Sequence, residues 1–181
     1  TKLAEHDAEL SFDLIQRLLG AQQPSAQRKG NGVVYTPRHV VEAVCARVVK
    51  LSREAGSDPN SPDWKALDPS MGAGAFLLGM AELLLRETGA RPSEIIERRL
   101  YGADIASHAI ETTDLLLNLW ALDSGDDTSR IKTNLRVGNS LEGPSLRDAF
   151  GVDAGFDTVV GNPPYVRIQN MEPEARRQIR E

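Results

Sequence analysis

Pro163 and Pro164 stand directly behind a short apolar run, Phe156-Asp157-Thr158-Val159-Val160, which closes on Gly161 and Asn162. Neither proline has a backbone N–H, so the chain cannot continue as a central strand, and two fixed φ angles force it into a stiff, extended loop. The run therefore reads as a buried strand that ends abruptly, with a rigid loop at its carboxyl end. Open α/β sheets place their ligand chemistry at that end of their strands.

Three earlier stretches repeat the pattern of an apolar run ending on a polar residue. Trp64-Lys65-Ala66-Leu67-Asp68 reads as the first strand, Leu100 to Ile105 as the second, with Asp104 near its end, and Leu135-Arg136-Val137 as the third, followed by Gly138 and Asn139. Between them lie helical periods. Thr36 is a good N-cap and Pro37 a good first residue for a helix running to about Glu54, with Val40, Val41, Val44, Cys45, Val48 and Val49 on its apolar side. Further helices are expected from Phe76 to about Glu87, from Pro92 to Arg98, and from a Ser107 cap to about Leu122, the last with Ile110, Leu115, Leu116, Leu119 and Trp120 as core candidates. Residues 142–155 read as an irregular connection. Alternating strands and helices imply a mostly parallel sheet flanked by helices, an α/β fold of the Rossmann-like kind with right-handed crossovers.

The ends of the chain read differently. Residues 3–19 predict an amphipathic helix, and residues 21–32 a loop in which Arg28 and Lys29 are either solvated or a phosphate contact. This gives two parts, an N-terminal helical arm over 1–32 and an α/β domain over 33–181, in which Glu172 to Glu181 starts a charged helix. The chain begins on Thr1, not Met, and reads as a piece of a longer protein.

Composition narrows the function classes. A net charge of −5 does not suit a strong nucleic-acid clamp, although a local basic face remains compatible with it. No apolar run is long enough to span a membrane. Cys45 is the single cysteine, which points to a reducing compartment such as the cytoplasm, and the three histidines are scattered, so no metal site is expected.

The chemistry is carried at the strand ends. Asp68-Pro69-Ser70-Met71-Gly72-Ala73-Gly74 is an acid followed by a Gly-x-Gly turn that opens a helix, where free N–H groups can meet a ligand. The third glycine of a dinucleotide fingerprint is absent, so the turn alone is weak evidence. Asp104 can accept from both hydroxyls of a ribose or can cap the helix behind it. Asn139 can pair with an adenine edge or serve as a turn residue. Asn162 offers an amide, the prolines offer carbonyl oxygens, and Tyr165 offers a ring, a set that suits a flat ligand with an exocyclic amine. Parallel strands would bring Asp68, Asp104, Asn139 and Asn162 to one crevice.

Together these residues resemble the S-adenosylmethionine-dependent DNA adenine-N6 methyltransferases of the type I and type IIG restriction–modification kind. Val34-Tyr35-Thr36-Pro37 resembles that family's opening motif, Leu67 to Leu77 its cofactor loop, Tyr101 to Ile105 its ribose-binding motif, Gly138-Asn139-Ser140-Leu141 its adenine-contact motif, and Asn162-Pro163-Pro164-Tyr165-Val166-Arg167 its catalytic motif. The family usually has Asp where this chain has Asn139. The resemblance implies that Thr36, Asp68, Ser70, Gly72 and Gly74 contact the methionine end of S-adenosylmethionine. It implies that Asp104 holds the ribose, that Ile105 lies against the cofactor's adenine and that Asn139 meets the adenine amine, with Ser140 and Asn162 also among the cofactor-binding residues. Asn162 and Pro163 would then grip the target amine, with Pro164 stiffening the loop and Tyr165 stacking on a flipped adenine of double-stranded DNA. It also implies a sheet of about seven strands, of which four are legible, with the remaining strands and any fused target-recognition domain lying beyond Glu181, or a separate specificity subunit as partner. A protein-glutamine or RNA methyltransferase, or a non-catalytic nucleotide-binding module, stays open beside this reading.

Overall fold

The computed structural model describes residues 36–142 and 144–163. The predicted helix over 3–19, the loop over 21–32, the charged helix from Glu172, and Pro164 and Tyr165 lie outside the described residues.

Four parallel strands form one sheet. They are β1 (Ala66–Asp68), β2 (Leu100–Asp104), β3 (Asn134–Val137) and β4 (Thr158–Val159), in the order β3-β2-β1-β4. The helices are α1 (Arg38–Glu54), α2 (Ala75–Thr88), α3 (Pro92–Arg99), α4 (Ser107–Asp123) and α5 (Leu146–Phe150). The side-chain period of two along a strand splits the sheet's residues between its faces. Ala66 and Leu100 join the main core, with Leu77, Met80, Leu84, Ile95, Ile96, Leu116, Leu117 and Trp120 from the helices. Leu67 and Tyr101 face the other way, onto a smaller cluster with Val152, Leu146, Phe150 and Phe156. There Tyr101 meets Phe150 and Phe156 edge-on at 5.4 and 5.2 Å, contacts worth about 0.5–1.5 kcal/mol each beyond burial.

Helix α1 buries Val41, Cys45 and Val49, spaced four apart, against α2, and Arg38–Glu82 and Arg53–Glu87 pairs close the rim. These exposed pairs contribute little; the buried stripe holds the helix.

The structure corrects several expectations. Thr36 does not cap α1: Pro37 occupies the N-cap position, and the Thr36 hydroxyl faces Asn162 instead. Ser107 is the first residue of α4, and Ala106 precedes it as the cap residue without a side-chain bond. Trp64 is not in β1; it is buried, and its indole N–H donates to Ser52 Oγ at 2.8 Å, which fixes it to the end of α1. Leu115 is 51% exposed because it points off the face that carries Leu116 and Trp120 inward. The irregular connection contains α5, capped by Ser145, whose Oγ accepts from Asp148 N. The last strand is shorter than Phe156–Val160 and is not buried throughout. It is paired only with β1 among the described residues, Val159 is 59% exposed, and the Asp157 carboxylate turns back to the Lys65 N–H at 2.7 Å.

Candidate functional site at the strand tips

Strand order decides what meets at the carboxyl end. β2 and β3 extend the sheet to one side of β1, while β4 lies on the other, so the direction of winding reverses between β1 and β4. A crevice opens outside the strand ends at such a reversal. Asp68 and Asn162 belong to the ends of the two strands that flank it.

The loops that leave the four tips are tied to one another. After β1, Met71 N donates to Ala103 O at 3.0 Å and Gly72 N donates to Asp104 Oδ2 at 2.9 Å. After β2, Ala106 N donates to Asp104 Oδ1 at 2.9 Å. After β3, Gly138 N donates to Asp104 O at 2.9 Å, and Ser140 Oγ donates to Pro69 O at 2.5 Å. The Asp104 carboxylate thus organises two loops, and each of its oxygens keeps a second lone pair for a ligand. Asn139 is exposed, and its Oδ1 accepts from Leu141 N at 3.1 Å, the bond of a turn residue.

Asp68 is 1% exposed. Its Oδ1 accepts from Ser70 N at 3.0 Å, and its Oδ2 has no hydrogen-bond partner among the described residues. Ser70 Oγ is likewise buried without a partner among them. Burial pushes the Asp68 carboxyl up to about 7, with the nearby Asp104 charge adding to it and the Ser70 N–H working the other way. A buried carboxylate left half-bonded is expensive unless a cation or donor meets it.

The Gly-x-Gly turn is explained by its neighbours. Gly74 sits at φ 74° at the head of α2, and a Cβ there would lie 2.5 Å from Thr113 Cγ2. Thr113 is wholly buried in α4, and its hydroxyl donates to Gly72 O at 3.2 Å. Sequence reading missed Thr113, and nothing in its helical surroundings could have singled it out. Gly72, at φ 54°, has open space where a Cβ would go. At the tip of β2, Ile105 is 75% exposed and presents apolar surface to the same end of the sheet.

The fourth tip closes the set. Gly161 packs directly on the Asp68 carboxylate, and Asn162 Nδ2 donates to Thr36 Oγ1 at 3.3 Å. Asp68, Ser70, Gly72, Gly74, Asp104 and Ser140 are joined by direct contacts or shared partners, and the Asn162–Thr36 pair is tied to them through Gly161, with Asn139 and Ile105 at the same end of the sheet. A separate hollow of about 350 Å³, lined by Asp114, Arg130, Ile131, Lys132 and Thr133, lies by the amino end of β3, away from these residues.

An open parallel sheet with this reversal, and with acids and amides at its tips, defines a Rossmann-like α/β protein, a class that binds its ligands outside the strand ends. The N-6 DNA Methylase family matches residues 17–180, nearly the whole chain, and the chain belongs to that family. It is 28% identical over 165 residues to the type II restriction enzyme and methyltransferase RM.BcgI of Heyndrickxia coagulans, covering 88% of this chain and 22% of that protein. It is 27% identical over 180 residues to the type II methyltransferase M.BstVI of Geobacillus stearothermophilus, covering 83% of this chain and 27% of that one. The chain thus spans about a quarter of these relatives' length. The fold is also that of the ATP-dependent type ISP restriction–modification enzyme LlaBIII bound to DNA, with a TM-score of 0.67 at 17% identity over 85% of this chain and 12% of that one.

Proposed function

We propose that the chain is the cofactor-binding and amine-gripping part of a site-specific DNA methyltransferase that places a methyl group from S-adenosylmethionine on N6 of adenine. The observation that carries this reading is the abutment of Asp68 and the Gly161–Asn162 segment across the winding reversal, which sets a cofactor anchor beside an amide. Membership in the N-6 DNA methylase family supports it, and the similar proteins are named as a methyltransferase, a restriction enzyme and methyltransferase, and a restriction–modification enzyme bound to DNA.

The residues fit the cofactor. Asp68 Oδ2 and Ser70 Oγ are buried and unpartnered among the described residues, as groups awaiting an ammonium and a carboxylate would be. Gly72 leaves room, and Ile105 offers an apolar surface for a purine. Asp68, Ser70 and the backbone of Gly72 and Gly74 would hold the methionine end, with Thr36 beside it. Asp104 would take the ribose, Ile105 and Asn139 the adenine, with Ser140 bracing the loop. When bound, S-adenosylmethionine supplies a methyl group on a sulfonium, already a good leaving group.

The protein's task is then alignment. The N6 lone pair of adenine is delocalised into the ring, which makes the amine a poor nucleophile. Asn162 Oδ1 and the Pro163 carbonyl accept its two hydrogens and favour a pyramidal nitrogen with a localised lone pair. Asn162 is neutral and takes no proton; the surplus proton leaves the nitrogen after transfer. The target adenine leaves the duplex at a cost of a few kcal/mol, and stacking on Tyr165 returns on the order of 1–3 kcal/mol.

In this reading residues 33–181 belong to the methyltransferase domain and 1–32 to an N-terminal arm. Target choice comes from a fused recognition domain or a specificity subunit, and the protein works in the cytoplasm. Transfer of a tritiated methyl group to duplex DNA, RNA and a glutamine-bearing protein tests it. Label confined to adenine N6 of DNA is expected; label in glutamine or RNA, or in nothing despite cofactor binding, overturns it.

A further inference from the structure

Asn162 and Thr36 are 126 positions apart in sequence, yet Asn162 Nδ2 lies 3.3 Å from Thr36 Oγ1. Thr36 immediately precedes Pro37, the residue that caps α1, and α1 is anchored by the buried Val41, Cys45 and Val49. Its hydroxyl is therefore held by a rigid element. Both Thr36 and Asn162 are half-buried.

A carboxamide has an accepting end and a donating end. To grip an amine's hydrogens, Asn162 must turn Oδ1 toward it, and Nδ2 must then find an acceptor elsewhere. Thr36 Oγ1 is that acceptor. A threonine hydroxyl can also donate, however, and by donating to Oδ1 it would stabilise the amide turned the wrong way. The right orientation is enforced only when the hydroxyl hydrogen is committed to another acceptor.

We propose that Thr36 is a positioning residue that sets the polarity of Asn162. With the cofactor held as proposed above, the Thr36 hydroxyl would donate its hydrogen to the cofactor's carboxylate, Thr36 would keep only acceptor capacity toward Asn162, and Asn162 would be locked with Oδ1 toward the target amine. Amine capture is thereby switched on by cofactor binding through one hydroxyl group. This rests on the cofactor assignment under Proposed function and goes beyond it by linking the two halves of the site.

The test compares wild type, Thr36→Val and Thr36→Ser in the intact protein, each first checked for a cooperative thermal melt. The side-chain NH2 of Asn162 is followed by hydrogen exchange in ¹⁵N NMR, with and without S-adenosylhomocysteine. Exchange is expected to slow by about 10-fold on ligand addition in wild type and Thr36→Ser but not in Thr36→Val. At saturating cofactor, methyl transfer by Thr36→Val is expected to lose about 10–100-fold in kcat, with Thr36→Ser close to wild type. Equal amide protection in all three proteins, or a Thr36→Val variant that raises only the KM for cofactor, overturns the proposal. If wild type methylates something other than adenine in DNA, the function reading fails while the amide exchange still decides the Thr36–Asn162 link.

Discussion

A Cβ at Gly161 would stand 2.6 Å from Asp68 Oδ1, so the residue before Asn162 rests on the carboxylate at the end of β1. Gly161 has no positive φ, and alanine is acceptable to its backbone; the restriction is purely one of space. Gly161→Ala is therefore expected to push Asp68 and Asn162 apart and to cost about 1–3 kcal/mol of stability. Thermal denaturation and cofactor titration check this, with weakened cofactor binding expected alongside the lower melting temperature.

Asp68 gives the fold a distinctive pH dependence. Its folded value of about 7 lies above the roughly 3.9 of an unfolded aspartate, so between these values the folded chain holds a proton that the unfolded chain has lost. The stability it contributes is full below about pH 4 and is lost as pH rises through about 7, a total on the order of 4 kcal/mol. Asp68→Asn removes this dependence. The variant should melt above wild type at pH 8, by a margin that shrinks toward pH 5, while binding S-adenosylmethionine at least about 10-fold more weakly. An ammonium brought to Asp68 Oδ2 should also release about one proton near pH 6 and none above about pH 8. Calorimetry in buffers of differing ionisation enthalpy reads that proton.

Asp126 works in the opposite direction. Hydrogen bonds from Ser93 and Thr128 hold its carboxyl well below the usual carboxylate range. Its contribution is present above about pH 4 and is lost as pH falls through the folded value. Asp126→Ala is expected to lose about 1–3 kcal/mol at neutral pH, because it strips the acceptor from the Ser93 and Thr128 N–H groups. The deficit should narrow in acid, as urea titrations at pH 7 and near pH 3 would register.

The two turn glycines separate backbone strain from crowding. Gly72→Ala meets nothing within 4 Å and carries only the left-handed backbone penalty, about 1–2 kcal/mol. Gly74→Ala carries the same penalty and also strikes Thr113, adding about 1–3 kcal/mol. Thr113→Ser, which removes the offending Cγ2, should recover part of the second loss and none of the first. A double-mutant cycle in denaturant measures the difference.

Asn162→Ala separates binding from chemistry. Methyl transfer should fall by at least about 100-fold, while S-adenosylmethionine affinity stays within about 3-fold of wild type. Single-turnover assays with equilibrium binding distinguish these, and surviving transfer would remove the amine grip from Asn162.

Much of the candidate cluster at the strand tips was legible because its signals are local. An acid before a Gly-x-Gly turn, an aspartate closing an apolar run and an amide ahead of two prolines each state their geometry within a few residues. The helical periods were legible for the same reason, as Val41, Cys45 and Val49 illustrate. The short α5 was not, since five residues carry too little periodicity to outweigh the polar turn chemistry around them. The exposure of Val159 and Leu115 was not either, since burial depends on which neighbours arrive and not on the residue itself.

By itself the sequence determined the alternation of strands and helices and the polar residue at each tip, because steric and hydrogen-bonding rules act along the chain. Only the tertiary structure decided that β4 lies beside β1 and not beyond β3. That choice sets Gly161 on Asp68, and Asn162 against a hydroxyl from the head of α1. Contacts between residues some hundred positions apart depend on the order in which strands pair, and strand order is settled by the packing of the whole sheet and its helices.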